Sequence, residues 1–312
     1  MKFGDMISEN LMKNFWNGFG QGRHLACRQA GLATPTILFF FLAASASSAA
    51  PQLILSTTTI NPGSTLRVEV DDISPGEKLK AVFCGKSYAF FPVGPNAQRA
   101  LIGIKLGSTP GTFPLKTRRA GAPNAEVPGL APINVTVASR TYTIENINLP
   151  PAKNKLVPAE GKESALIHKT SRILSTHQQW EGAFMPPVPG VEIAPFGLQR
   201  LHNGTEAAGF HNGIDLRAPA GTPVAAANAG VIVMTHAFKA HGRTLMINHG
   251  QGVMTIYLHM QSFAVKPGQT VTKGQTVGKV GSSGVSTGAH IHWQVFVHGV
   301  PVDPKEWQET EF

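Results

Sequence analysis

Cysteine is nearly absent: Cys27 and Cys84 are the only two in 312 residues. Two thiols cannot build a disulfide scaffold, so the fold must rest on an apolar core. Charge is also sparse. Charged residues make up 14% of the chain, too few for a coiled coil, where charge and helix formers dominate. The strongest apolar run, Ile37 to Ala44, is far shorter than the ~20 residues that cross a bilayer as a helix. Apolar residues nevertheless reach 42%, which excludes a globally disordered chain. What is abundant is turn chemistry. With 33 Gly and 23 Pro, the composition favours many short strands joined by turns, and the length suits about two domains.

Residues 1–46 read as a targeting segment. Arg23 and Arg28 precede the apolar run, and Ala44-Ser45-Ala46 matches a small-residue cleavage pattern. Export is the expectation, with an uncleaved anchor as the alternative. Cys27 lies before the apolar run, where it does not serve as a lipid anchor, and Cys84 is expected to be a small buried hydrophobe.

Residues 47–150 read as a β-sandwich-like domain of immunoglobulin type. Leu66, Val68 and Val70 alternate with Arg67 and Glu69, the period of a half-buried strand. Further short apolar runs at Lys80–Phe83, Ala100–Leu106 and Ile133–Ala138 are separated by Pro62-Gly63, Pro75-Gly76 and Pro110-Gly111. Residues 151–184 read as a basic linker holding one helix between Glu160 and Gln179. Residues 185–312 return to glycine-rich β structure, and nine of the twelve histidines lie between 202 and 298.

The positive charge lies elsewhere. Residues 47–184 carry 15 basic and 9 acidic side chains, against 8 and 7 in residues 185–312. An anionic wall polymer or membrane surface is a candidate partner for that front half, beside a merely solvated face. Nucleic acid is not expected, since Arg118-Arg119 is the only basic doublet.

Three patterns carry chemistry. In His211-Asn212-Gly213-Ile214-Asp215, positions i and i+4 of an extended segment face one side, so imidazole and carboxylate can converge. In His290-Ile291-His292, strand alternation places both histidines with Gln294 opposite Ile291, Trp293, Val295 and Val297. In Val253 to Met260, the alternation makes Met254, Ile256, Leu258 and Met260 the core face and sets His259 opposite. Each pattern alone is unremarkable. Together, two histidines, a carboxylate and an open fourth position describe a catalytic zinc site, and imidazole with carboxylate suits zinc better than all-oxygen cations.

Gly284-Val285-Ser286-Thr287-Gly288 also matches the nucleophile elbow G-x-S-x-G. That motif needs a following helix and a later Asp-then-His order; here the histidine strand follows and no histidine succeeds Asp303. A lipoyl-type carrier reading of Pro267–Val280 fails because Lys273 lies between Thr272 and Gly274 rather than apolar flanks. No H-E-x-x-H helix motif is present.

Residues 185–304 resemble the catalytic domain of the lysostaphin/LytM family of zinc peptidoglycan endopeptidases. The resemblance is carried by Pro195-Phe196-Gly197, His211 to Asp215, Ala218 to Val224, Tyr257 to Met260, Pro267-Gly268-Gln269, Lys273-Gly274-Gln275 and Ser286 to His292. It implies a mainly β chain with a curved antiparallel catalytic domain of LytM type. It further implies one zinc ion held by His211, Asp215 and His292, with His259 and His290 as the unliganded catalytic pair. The implied substrate is the peptide part of peptidoglycan and the implied location is the periplasm or cell wall. Some members of the family lack zinc ligands and activate other wall hydrolases, which is the alternative function.

Overall fold

Side-chain alternation builds the first half of the chain. The computed structural model describes residues 50–312, so the targeting segment, its apolar run and Cys27 lie outside the described residues. Seven strands frame the front unit: β1 (Gln52–Leu55), β2 (Thr65–Asp71), β3 (Leu79–Phe83), β4 (Lys86–Ala89), β5 (Gln98–Gly103), β6 (Gly111–Arg119) and β7 (Ile133–Val137). One sheet runs β1-β2-β5 and the other β7-β6-β3-β4, with short strands added at their margins. Leu66, Val68, Val70, Ala81, Ile102, Leu115 and Val135 are buried in one shared core, as the period-2 pattern requires.

Cys84 departs from expectation: it is exposed. The cause is backbone geometry. Phe83 pairs with Lys86, so Cys84-Gly85 is a two-residue hairpin loop, and both residues have positive φ, +47° and +74°. That is the combination a type I′ turn demands. Partial desolvation at the turn outweighs the nearby Lys86 and raises the thiol's pKa, which disfavours the thiolate form.

The chain then enters its second β unit through β8 (Ile144–Ile147), a short helix α1 (Pro151–Asn154) and helix α2 (Glu160–Thr170). Next come β9 (Val191–Ala194), β10 (Gln199–His202), β11 (Thr205–Phe210), β12 (Ile214–Arg217), β13 (Gly230–Ala237), β14 (Arg243–Gly250), β15 (Val253–Met260) and β16 (His290–Val297). The main sheet has the order β9-β12-β16-β15-β14-β13, and a small flanking sheet has the order β8-β10-β11. A third helix, α3 (Pro304–Glu309), follows where the sequence pattern suggested only β structure; Pro304 sits in its first turn and Asp303 caps it by accepting from Lys305 N. No helix among the described residues is long and apolar enough to cross a membrane.

The main sheet is buried on both faces. Ile214, Leu245, Ile247, Val253, Tyr257, Ile291, Trp293 and Val295 share the larger core. Met246, Met254, Ile256, Leu258 and Phe296 form a smaller cluster on the other face, covered by Ile167 of α2. The front unit is joined to this half through specific contacts. Arg99 Nη2 donates to Gln178 Oε1 and Gln251 Oε1 at 2.7 and 3.2 Å, and its guanidinium lies over the Trp180 ring. Thr65 N donates to Glu306 Oε2 at 2.8 Å, and Trp307 Nε1 donates to Thr65 Oγ1 at 3.1 Å.

Candidate metal centre and groove

The pairing register assembles the first cluster. Asp215 on β12 lies opposite His292 on β16, and directly opposed residues project from the same face. His211 reaches them from the segment just before β12. The result is a triangle of donor atoms. His211 Nε2 is 3.0 Å from Asp215 Oδ1 and 2.9 Å from His292 Nδ1, and His292 Nδ1 is 2.7 Å from Asp215 Oδ1. All three residues are buried, at 2%, 6% and 5% exposure.

This donor set fits zinc. A tetrahedral ion with bonds of about 2.0–2.1 Å holds its donors about 3.3 Å apart, so the triangle needs only a few tenths of an ångström of expansion. Each donor also has an outer partner, as metal ligands generally do. His211 Nδ1–H donates to Pro195 O at 2.7 Å, Arg200 Nη2 donates to Asp215 Oδ2 at 2.6 Å, and the Gln294 side-chain amide lies 2.6 Å from His292 Nε2. Burial works to raise the Asp215 pKa, but hydrogen bonds and charge from His211 and His292 overcome it and hold the carboxyl well below its usual range. Burial pushes His292 down to about 4, against a partial pull from Asp215. At neutral pH the cluster is therefore a carboxylate with a neutral imidazole at position 292.

His259 and His290 stand beside the triangle. Their ring centroids are 4.9 Å apart, and His259 is 6.4 Å from the His292 ring. His259 Nδ1–H donates to Ser283 O and His290 Nδ1–H donates to Gly288 O, both at 2.8 Å. In each ring Nε2 is left as the free nitrogen, and that of His290 is 3.9 Å from Asp215 Oδ1. Burial first, then the neighbouring His290 and His292, hold His259 well below the ordinary imidazole range.

The expected division of β15 into a core face and a histidine face needs correction. Thr255 and Tyr257 are fully buried, and Tyr257 and Met260 both belong to the larger core. Strict alternation would send His259 there too. Instead His259 has φ of +62°, a conformation that breaks the alternation and turns its ring towards His290 and His292.

Sequence reasoning missed the side chains that brace this site. Arg200 on β10 also donates to Glu145 of β8 at 2.9 Å. Glu163 of α2 accepts from the backbone N–H groups of Lys239, Ala240 and His241, at 2.8 to 3.1 Å, and from His241 Nδ1 at 2.8 Å. Lys153 of α1 donates to Ser282 O and Gly284 O at 3.2 and 2.7 Å. Both braces converge on His259, since His259 N donates to His241 O and its ring is held by Ser283 O. No local motif signals contacts of this sequence separation.

The remaining histidines do other work. His249 is fully buried; its Nδ1 faces Ala229 O and its Nε2 faces Thr255 Oγ1, at 2.6 and 2.8 Å. Ser286 Oγ donates to Gly288 O at 2.7 Å in a loop that enters a strand, so no nucleophile elbow is formed. The five site histidine and aspartate side chains open into a groove of about 1080 Å³, walled on one side by β8, β10 and α2.

Comparison with known proteins finds relatives for the second half of the chain. Residues 209–304 match the model of peptidase family M23. The peptidoglycan DD-endopeptidase ShyA of Vibrio cholerae is 43% identical over 108 residues, 35% of this chain and 25% of that protein. The DD-carboxypeptidase/endopeptidase Mpg of Neisseria meningitidis is 41% identical over 111 residues, 36% and 25% of the two chains. The chain thus spans about a quarter of the length of these relatives. A crystal structure of a Pseudomonas aeruginosa protein assigned to peptidase M23 aligns at a TM-score of 0.59 and 26% identity. It covers 79% of this chain and 93% of its own.

Proposed function

We propose, from the match of residues 209–304 to the model of peptidase family M23, that the chain is an exported zinc endopeptidase that hydrolyses peptide cross-links of peptidoglycan. The observation that carries the reading is the buried His211–Asp215–His292 triangle with two further imidazoles, His259 and His290, at its open side. The names of the relatives support peptidoglycan as substrate. A cross-link between a D-alanyl residue and a diamino acid is the bond we favour.

His211 Nε2, His292 Nδ1 and Asp215 Oδ1 would hold the zinc, which when bound supplies Lewis acidity to the scissile carbonyl and to water. The rest is done by this chain's own groups. Pro195 O, Gln294 and Arg200 fix the orientation of the three ligands. His259 and His290, each with Nδ1–H committed to a carbonyl, offer Nε2 as the atom that takes a proton from the attacking water and returns one to the leaving amine. Burial keeps the His259 imidazole neutral near pH 7, the form that can accept a proton. The groove accepts an extended peptide across the sheet.

The excess of basic side chains over residues 47–184 supports a contact with anionic wall polymer or membrane surface. The activator alternative is disfavoured because the ligand set and both further histidines are retained. Digestion of purified peptidoglycan, with released fragments identified by mass, tests the proposal. Dimeric wall peptides should fall to monomers, chelation should stop this, and zinc should restore it. Cleavage of glycan strands alone, or intact dimers beside zinc-loaded protein, would refute it.

A further inference from the structure

Two arginines line the groove, Arg200 and Arg217. Arg200 is engaged by Glu145 and Asp215 at 2.9 and 2.6 Å. Arg217 is exposed and has no carboxylate partner among the described residues. It is thus the one groove guanidinium there whose charge no protein carboxylate answers.

Its position in the sheet gives it a specific neighbourhood. Arg217 is paired with His290, just as Asp215 is paired with His292. Opposed residues share a face with Cβ atoms about 4.5–5.5 Å apart. Residues two apart on a strand share it as well, roughly 7 Å apart at ~3.4 Å per residue. Arg217 therefore leaves β12 on the face that carries the donor triangle, beside one of the two free imidazoles. On its other side, Val191 of β9 is its register partner. Val191 is 72% exposed, and Ile193, which lines the groove, is 41% exposed. A free guanidinium flanked by uncovered aliphatic side chains suits a small residue that carries a carboxylate.

We infer that Arg217 is a specificity-determining residue that binds a carboxylate of the peptide substrate, about two residues from the bond that is cut. The inference rests on the peptide-hydrolase reading above. The spacing follows from the sheet: two strand positions, roughly 7 Å, separate Arg217 from Asp215 of the triangle, and an extended peptide that advances ~3.3 Å per residue covers that in about two residues. Guanidinium and carboxylate match in a planar, two-bond arrangement. In a wall peptide such a group is either the C-terminal carboxylate of a stem or the free carboxylate of the cross-linking diamino acid.

The test uses the full chain loaded with zinc, as wild type, Arg217→Ala and Arg217→Lys, with three synthetic cross-linked dimers. One has both carboxylates free, one has the C-terminal carboxylate amidated, and one has the diamino acid carboxylate amidated. Zinc content and thermal midpoint confirm that each variant is folded. On the free dimer, Arg217→Ala should raise KM about tenfold, the size expected of a charge-assisted contact partly open to solvent, with kcat carrying little of the loss. Arg217→Lys should recover part of it. The amidated dimer on which the gap between wild type and Arg217→Ala closes identifies the carboxylate. A gap that persists on both amidated dimers, or no gap on the free one, overturns the inference. Direct titration of dimer binding separates this from the hydrolase reading. If wild type cuts nothing but binds the free dimer about tenfold more tightly than Arg217→Ala, the carboxylate site stands and the peptidase proposal fails. If wild type binds the free dimer no more tightly than Arg217→Ala does, the site is wrong.

Discussion

Glu306 ties the front unit to the second β unit, and its ionisation should tune the stability of the whole chain. Its carboxylate accepts from Thr65 N at 2.8 Å. Burial pushes its pKa up from 4.5 to about 7, with the Thr65 contacts pulling the other way and Asp303 adding to the rise. Between pH 4.5 and 7 the folded chain therefore holds a proton that the unfolded chain has released. Stability falls as pH rises through that window, at about 1.4 kcal/mol per unit for one proton. The full effect is at most about 3 kcal/mol, present below pH 4.5 and gone above pH 7. Glu306→Gln keeps an oxygen for Thr65 N but cannot ionise. Urea unfolding of wild type and variant at pH 5, 6, 7 and 8 provides the assay. Subtracting the two curves cancels the contribution of buried histidines such as His249, which burial pushes to about 4. The difference should move by about 2–3 kcal/mol in favour of the variant between pH 5 and 8. A flat difference would mean that the carboxylate is solvated and the coupling absent.

His292→Ala should abolish stoichiometric zinc binding, read by metal analysis, because it removes one of three donors; full occupancy would exchange the roles of His290 and His292. His259→Ala and His290→Ala should each keep zinc and lose roughly two to four orders of magnitude in turnover. A variant at either position with near wild-type turnover removes that residue from the mechanism. Glu163→Ala strips four hydrogen-bond donors of their shared acceptor. It should cost about 1.5–3 kcal/mol in denaturant unfolding and lower kcat with zinc retained. Unchanged kcat would show that the brace does not reach His259. Cys84→Asn should stabilise the chain by up to ~1 kcal/mol, since asparagine tolerates the left-handed turn position better; a lower thermal midpoint would count against the turn assignment.

The site was legible where it is local, and illegible where a single dihedral or a distant residue decides. His211 and Asp215 are four residues apart, and His290 and His292 two apart on one strand, so spacing alone brings each pair to one face. The strands at Leu66–Val70, Lys80–Phe83 and Ile133–Ala138 were equally plain, because alternation reports a half-buried sheet. The second half misled the same rule. Its main sheet is covered on both faces, so Val253 to Met260 is apolar or buried throughout, and alternation there names two cores rather than a core and a surface. The positive φ of His259 then reverses the face to which its side chain belongs, and no pattern of residue types encodes that reversal.

The connector shows the same limit from the other side. The strand face that carries His259, His290 and His292 also carries Ile256, Leu258 and Phe296, apolar along one stretch and polar along the next. Helix α2 covers the apolar stretch through Ile167, while its Glu163 and the Lys153 of α1 reach loops that hold His259. From composition this segment is a basic linker with a helix. In the fold it closes a hydrophobic face and fixes the His259 ring with the same few residues. A covering helix that merely shielded Met254 and Phe296 would not need a carboxylate aimed at three successive backbone N–H groups. That carboxylate makes the groove's geometry depend on the segment between the two β units, which is why Glu163, rather than a residue in the groove, separates covering from positioning.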